Sequence, residues 1–167
     1  MTALVAFIVF CQALGALVGA FSTVWGEIAY MHAIRDGKLD HAERMHLRAI
    51  GHGLRFGMTL LLIASLALVV VAYLSRAALQ PALTPGYWTL IVFAILIVYV
   101  SWALSRNRIS FGLGSAIAFT AWWFLAYLTI GWIPPLAFIS AVAFFVVATG
   151  IFYGILQYAR SLAHVRK

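Results

Sequence analysis

A run of 51 residues without a charged side chain, from Ile109 to Ala159, most constrains how this chain folds. Residues 1–26, 56–75 and 77–105 are also free of charge. A helix needs about 20 apolar residues to cross a bilayer, so the longest run is too long for one crossing. The sequence GWIPPLAF divides it, because Pro135 has no amide hydrogen and Pro134 disfavours helical geometry in the preceding residue. The pattern predicts an all-α, polytopic membrane bundle of five transmembrane helices.

The predicted spans form one transmembrane domain over residues 1–167, at about 3–34, 43–75, 87–105, 110–132 and 136–162. The composition agrees, since 65% of the residues are hydrophobic and 9% are charged. A soluble domain has about a quarter charged residues and covers its surface with polar groups. Lipid accepts an apolar exterior. The second predicted helix, from His41 to Ser75, is about 52 Å long and overshoots the hydrocarbon core, so its first turns should lie outside it.

The basic residues indicate the orientation of the bundle. They concentrate in the first and third connections and at the C-terminus, whereas Arg76 is alone near the second connection. In a bundle of five spans, these segments rich in Lys and Arg lie on the same side of the membrane. The positive-inside rule predicts that this side is cytoplasmic. We therefore expect the N-terminus outside, the C-terminus in the cytoplasm, and a prokaryotic inner membrane as the location. The net charge is +7, but the basic residues do not form a soluble basic domain, so nucleic acid is not an expected partner.

Small residues in the first span predict close helix packing. Gly15 and Gly19 in GALVG lie one turn apart, which allows another helix to approach. The aromatic group AWWFLAY of the fourth span favours packing or lipid contact over a chromophore or quinone groove.

The polar chemistry of the chain is concentrated between residues 27 and 56. This window holds all four acidic residues, four of the five histidines and five of the eleven basic residues. Glu27 lies about two turns inside the cytoplasmic end of the first predicted helix, where an unpaired carboxylate is costly. The second helix returns antiparallel, so Glu27 should lie level with Arg48, His52 and Arg55, which share one helix face.

Two interpretations of this window stay open. In the structural one, Glu27 pairs with Arg55 or His52 and sets the register of the two helices. In the functional one, Glu27, His32 and His52 line a cofactor-binding pocket that is open to the cytoplasm. His32 and His52 would then be the ligands of a metal or haem, or carriers of protons, and Arg55 would balance charge or contact a propionate. Ionisable groups within a membrane make such a site the default functional hypothesis.

Three stretches of the chain resemble a group of small prokaryotic membrane proteins: ALGALVGAFSTVWGEIAYMHAIRDGKLDHAE, SRNRIS and SAIAFTAWWFLAYLTIG. That group is similar to the HemJ protoporphyrinogen oxidase and copper-resistance D class. The resemblance implies a small helical bundle that handles haem, a porphyrin or copper. Members of the class have a haem-ligating histidine early in helix 1, and the oxidase has a lysine near the start of helix 3. This chain has Gln12 at the first position and no lysine in GYWTLIVF, so the resemblance supports the fold and does not assign the oxidase reaction.

The sequence thus leads to three functional hypotheses and assigns no catalytic residue. The first is an integral membrane protein with a polar pocket at the cytoplasmic end of helices 1 and 2, which binds haem, porphyrin or metal or relays protons. The alternative is a non-catalytic accessory or scaffold subunit, either in a larger membrane complex or as a homo-oligomer. The third is an oligomeric channel or transporter. In each case the lipid bilayer is the surrounding partner.

Overall fold

Five long helices make up nearly all of the structure, a computed structural model that describes residues 2–36, 41–78, 80–131 and 138–165. Within these ranges, the side chains of 33–36, 41–49 and 163–165 lie outside the description. The helices are α1 (Thr2–Asp36), α2 (His41–Leu74), α3 (Pro85–Ser105), α4 (Phe111–Ile130) and α5 (Phe138–Val165), with a short 3-10 helix at Pro81–Leu83. Each of the five is long and apolar enough to cross a membrane. The predicted all-α, multi-pass membrane bundle is confirmed.

The second helix extends beyond its membrane span, as its length predicts. Helix α2 has 34 residues, and its segment Ile50–Leu74 is by itself long and apolar enough to cross a membrane. The first turns, from His41, therefore precede the apolar segment. The chain reversal in RDGK and the proline pair Pro134–Pro135 were predicted to separate helices, and both fall outside the described residues, apart from the helical Arg35 and Asp36.

Local capping fixes where the middle helices begin and end. The hydroxyl of Thr84 accepts a hydrogen bond from the amide of Tyr87, and the hydroxyl of Ser110 accepts one from the amide of Leu113. These bonds satisfy amides that have no partner within the first turn of a helix. Helix α4 ends at Gly131, whose φ of 68° is left-handed and favours glycine. It is slightly shorter than the predicted 110–132 span because these caps stop it at both ends.

Helix α4 is the centre of the bundle. It contacts α1, α3 and α5, while α1 packs on its other side against α2. Half of the apolar span of α4 is buried, compared with 11% of that of α5. Trp122 and Leu125 of α4 are almost fully buried and join Phe93 of α3 and Leu61 of α2 in the core.

Glycines bring α1 and α2 into backbone contact, as the GALVG motif predicts. A Cβ atom on Gly15 would lie 2.8 Å from the Gly57 carbonyl oxygen, and one on Gly57 would lie 2.7 Å from the Gly15 carbonyl oxygen. Gly19 lies against both Gly57 and the ring of Trp122. The predicted packing face is therefore confirmed, and it serves two neighbours: α2 on one side and α4 on the other.

Candidate functional site: a buried ion pair joining three helices

A buried ion pair lies near the end of the bundle where α1 and α5 finish. The Nη2 atom of Arg160 on α5 donates a hydrogen bond to the Oε2 atom of Glu27 on α1, at 2.7 Å. The two residues are 6% and 7% exposed, so both charges are removed from solvent and lipid. A charge in such a place is tolerated when it is paired and hydrogen-bonded.

Helix α4 completes the site. The same Nη2 atom of Arg160 donates to the hydroxyl of Ser115 at 2.6 Å. The guanidinium carbon of Arg160 lies 5.1 Å from the ring centre of Tyr30 on α1 and 5.3 Å from that of Phe111 on α4. Cations are attracted to aromatic ring faces, and more strongly where water is excluded. Arg160 thus links three helices through its charge, a hydroxyl and two rings.

Helical spacing explains how the chain assembles these groups. Tyr30 follows Glu27 by three residues and Ser115 follows Phe111 by four, so each pair lies on one face of its helix. The rings of Tyr30 and Phe111 are 4.2 Å apart between centres and tie α1 to α4 beside the ion pair. A Cβ atom on Gly112 would lie 2.6 Å from Nε2 of Gln157 and 3.3 Å from Nη1 of Arg160, so the glycine leaves room for both side chains.

The expected ion pair of Glu27 therefore exists with a different partner. The sequence suggested Arg55 or His52, and the structure pairs the carboxylate with Arg160. The reason is the face that α2 turns to α1. Gly53 and Gly57 meet α1, and Arg55 lies two residues from each, or about 200° around the helix.

The other three predicted site residues have exposed side chains. His32 follows Glu27 by five residues, which places it about 140° away around α1. His52 and Arg55 are also exposed, whereas Glu27 is buried. The structure thus separates the four residues into a buried carboxylate that faces α4 and α5 and three exposed groups near the same end of α1 and α2. Within the described ranges, no three His, Cys, Asp or Glu residues cluster closely enough to hold a metal ion.

A second buried polar contact lies in the α1–α2 interface, at the position where the resemblance class has its histidine. The Nε2 atom of Gln12 donates to the hydroxyl of Ser65 at 2.8 Å, and that hydroxyl donates to the Leu61 carbonyl oxygen. Gln12 is 8% exposed and Ser65 is fully buried. The amide of Gln12 therefore joins two helices here.

Arg160 is the residue of this buried site that the sequence did not predict, since it was grouped with the basic C-terminus. A signal for it is present in the charge-free runs. Glu27 is the first charged residue after residues 1–26, and Arg160 is the first after the run of 51 residues. Both runs end on the same side of the bundle, because the first contains one helix and the second, which begins on that side, contains two. The charges at which the runs end have opposite signs, which predicts a pair.

Comparisons with protein families, with curated proteins and with solved structures find no match to this chain. The function is therefore inferred from the physical properties of the chain. Its five apolar helices make it a multi-pass membrane protein.

Proposed function

We propose that this protein is a non-catalytic subunit of a membrane assembly, in which α5 packs against a transmembrane helix of another chain. The outward face of α5 carries this proposal. Gly150 and Gly154 lie one turn apart, and a Cβ atom on either would meet no described atom within 4 Å. Ala143 and Val147 continue the same face and are exposed.

The energetics of glycine support a contact on this face. Each glycine within a helix costs about 1 kcal/mol relative to alanine. Gly15 and Gly57 offset that cost by close packing inside the bundle, whereas Gly150 and Gly154 have no close neighbour among the described residues. In membranes, small residues at this spacing allow two helices to approach closely. A helix from a second copy or another subunit would give these glycines the same role.

The ion pair at the other face of α5 supports a structural reading of the polar residues. Glu27 is paired with Arg160, whose guanidinium group lies over two aromatic rings. Such a pair positions helices and holds the Glu27 carboxylate against a cation. It would hold α5 in a fixed orientation against the bundle, with Gly150 and Gly154 directed outward.

Bulky substitutions on α5 test the proposal. The protein is purified from its native membranes in mild detergent, and its mass and co-purifying chains are measured by light scattering and mass spectrometry. We expect a stoichiometric partner or a defined oligomer, which Gly150→Leu with Gly154→Leu releases. Gly51→Leu is the matched control, because Gly51 is also helical and has no described neighbour within 4 Å. A monomer without partner, or an assembly insensitive to the α5 change, would contradict the proposal.

We also propose the orientation and location that the charge pattern favours. The N-terminus would lie outside and the C-terminus in the cytoplasm of a prokaryotic inner membrane. The support is that Arg106 and Arg108 share one end with Arg160, while Arg76 is alone at the other.

The second candidate is a ligand-binding site at the cytoplasmic end, for which the exposed side chains of His32, His52 and Arg55 are the supporting observation. The resemblance to the HemJ and copper-resistance D class makes haem, porphyrin or copper the ligand to test. Purified protein should then show a Soret band or bound copper, and His52→Ala and His32→Ala should remove it. A colourless protein without metal after purification from haem-supplied and copper-supplied cells would count against this candidate.

A further inference from the structure

Two arginines of the described chain lie inside apolar spans, and their surroundings differ. Arg160 lies in the Phe138–Leu162 span, is buried and is paired with Glu27. Arg55 lies in the Ile50–Leu74 span, is exposed, and has no ion-pair partner among the described residues. An unpaired cation within the hydrocarbon core is costly, and ionisable residues of membrane helices usually pair with one another. Arg55 therefore requires an anionic partner from outside the bundle.

Helix contacts place Arg55 well inside the bilayer. Gly57 of α2 and the ring of Trp122 of α4 both lie against Gly19 of α1, so these three residues share one level. Trp122 lies eleven residues after Phe111, the first residue of α4, or about 16 Å at 1.5 Å per residue. Arg55 precedes Gly57 by two residues, which places its backbone about 13 Å from the level of Phe111. Helix α4 is about as long as the hydrocarbon core is thick, so this level lies within the core.

At this depth the side chain of Arg55 does not reach the lipid headgroups. Five bonds of about 1.5 Å separate Cα of an arginine from Cζ, so the guanidinium group extends less than about 8 Å. The phosphates of phospholipids lie outside the hydrocarbon core and are farther away than that. The partner must therefore be an anion inside the core, and proteins supply one as an Asp or Glu side chain on a membrane helix.

The face of α2 that carries Arg55 is open to such a helix. Helix α2 packs against α1 and the 3-10 helix, and Arg55 lies on the side turned away from α1. Thr59, Leu62 and Leu66 follow at steps of four, three and four residues and are all exposed. Steps of three and four residues form one stripe along a helix, which is the pattern of helices that pack side by side. The hydroxyl of Thr59, one turn from Arg55, can donate to the same carboxylate.

A second copy of this chain does not supply the carboxylate. Copies of a membrane protein share one orientation, so equivalent residues lie at equal depth. The chain has four acidic residues, and Glu27 is already buried against Arg160. The other three lie between residues 36 and 43, from the last residue of α1 to the first turn of α2. Asp36 is nine residues beyond Glu27, or about 14 Å farther from the level of Arg55.

We propose that Arg55 binds an Asp or Glu inside the apolar segment of a transmembrane helix of a different protein, which packs along the stripe of Arg55, Thr59, Leu62 and Leu66. This inference rests on the proposed membrane assembly and names the chemistry of its partner. It is drawn from α2, whereas the proposed function is drawn from α5.

Co-purification from native membranes tests the inference, with the chains identified and counted by mass spectrometry. We expect a stoichiometric chain with an Asp or Glu near the centre of an apolar segment of about 20 residues. Arg55→Leu should lower its recovery at least about tenfold, because it leaves the buried carboxylate unpaired. Arg55→Lys keeps the charge and should retain the partner. Arg76→Leu is the matched control, since Arg76 is exposed and lies beyond the span of α2.

The acidic residue of the partner supplies a second test. Its change to the corresponding amide should release the partner as Arg55→Leu does. Arg55→Glu should also release it, and a Lys in place of the partner's acidic residue should then restore the complex.

The outcomes separate this inference from the proposed function. A homo-oligomer without another chain would overturn the inference and leave the proposed function standing. So would a different chain that Gly150→Leu with Gly154→Leu releases and Arg55→Leu retains. Release by Arg55→Leu alone would support the inference and contradict the role of α5. Loss of anionic phospholipid from the Arg55→Leu protein, with the partner retained, would show that Arg55 binds a lipid phosphate and would overturn the inference.

Discussion

Glu27 and Arg160 are 133 residues apart in the chain and 2.7 Å apart in space. Their contact closes the bundle, since α1 and α5 are its first and last helices. Removing two charges from water costs free energy. The attraction within the pair offsets this cost only when the remaining hydrogen-bonding groups of the pair are also satisfied. Ser115 and the rings of Tyr30 and Phe111 contribute to that, while Nε of Arg160 is buried without a described partner.

Breaking this pair should destabilise the bundle strongly. We expect Glu27→Ala or Arg160→Ala to lower the free energy of unfolding by about 3–5 kcal/mol, because each leaves an unpaired buried charge. The double change Glu27→Leu with Arg160→Met should recover most of the loss, since it removes both charges. Unfolding in increasing mole fractions of sodium dodecyl sulfate, followed by circular dichroism, measures these differences.

Arg55→Ala is the matched control for this experiment. Its side chain is exposed on α2, so we expect a change within about 0.5 kcal/mol. A loss on Arg55→Ala as large as that on Arg160→Ala would mean that Glu27 uses the partner suggested by the sequence. Additive losses in the Glu27–Arg160 double variant would show that the two residues are not coupled.

The glycines of α2 should respond to alanine according to their neighbours. A methyl group on Gly57 would lie 2.7 Å from the Gly15 carbonyl oxygen, a backbone atom that cannot move aside alone. We expect Gly57→Ala to destabilise the protein by about 1–3 kcal/mol through overpacking. A methyl group on Gly51 would meet no described atom within 4 Å, so Gly51→Ala should be neutral or stabilise by up to about 1 kcal/mol. Equal effects of the two changes in the same unfolding assay would show that α1 and α2 are not in backbone contact.

The sequence predicts much of this fold because the bilayer simplifies the problem. Charge-free runs such as 1–26 predict the membrane-spanning helices, and the spacing of Gly15 and Gly19 predicts a face on which another helix packs. Helices joined by a short turn must be antiparallel neighbours, which predicts that α1 meets α2. None of these inferences needs knowledge of how distant helices pack.

The partner of Glu27 could not be predicted in this way. Its choice depends on how α2 is rotated about its own axis, which Gly53 and Gly57 decide by facing α1. It also depends on which later helix packs beside α1. The hydrophobic pattern does not predict that neighbour, because α1 is apolar on all sides. Similarly, nothing in AWWFLAY distinguishes Trp122, which is buried against Gly19, from Trp123, whose buried indole N–H has no partner among the described residues.

The hydrogen bond between Gln12 and Ser65 should contribute to stability. Ser65→Ala would leave the buried amide of Gln12 without its described acceptor, so we expect a loss of about 0.5–2 kcal/mol, in the range found for interhelical bonds in membranes. Ser140→Ala removes an exposed hydroxyl from α5 and is the control. If both changes have the same small effect on unfolding in detergent, the Gln12 contact does not hold α1 to α2.

The proposed orientation predicts which connections a membrane-impermeant thiol reagent reaches in intact cells. In a Cys11→Ser background, a cysteine at Leu83 should be labelled, because the proposed orientation puts the 3-10 helix at the outer end and Leu83 is 81% exposed. A cysteine at the exposed Ser105, at the other end of α3, should be labelled only after the cells are permeabilised. The physical reason is the excess of Lys and Arg at that end, which opposes its translocation. The reverse pattern, with Ser105→Cys labelled in intact cells and Leu83→Cys protected, would place the C-terminus outside and the Glu27–Arg160 pair at the outer surface.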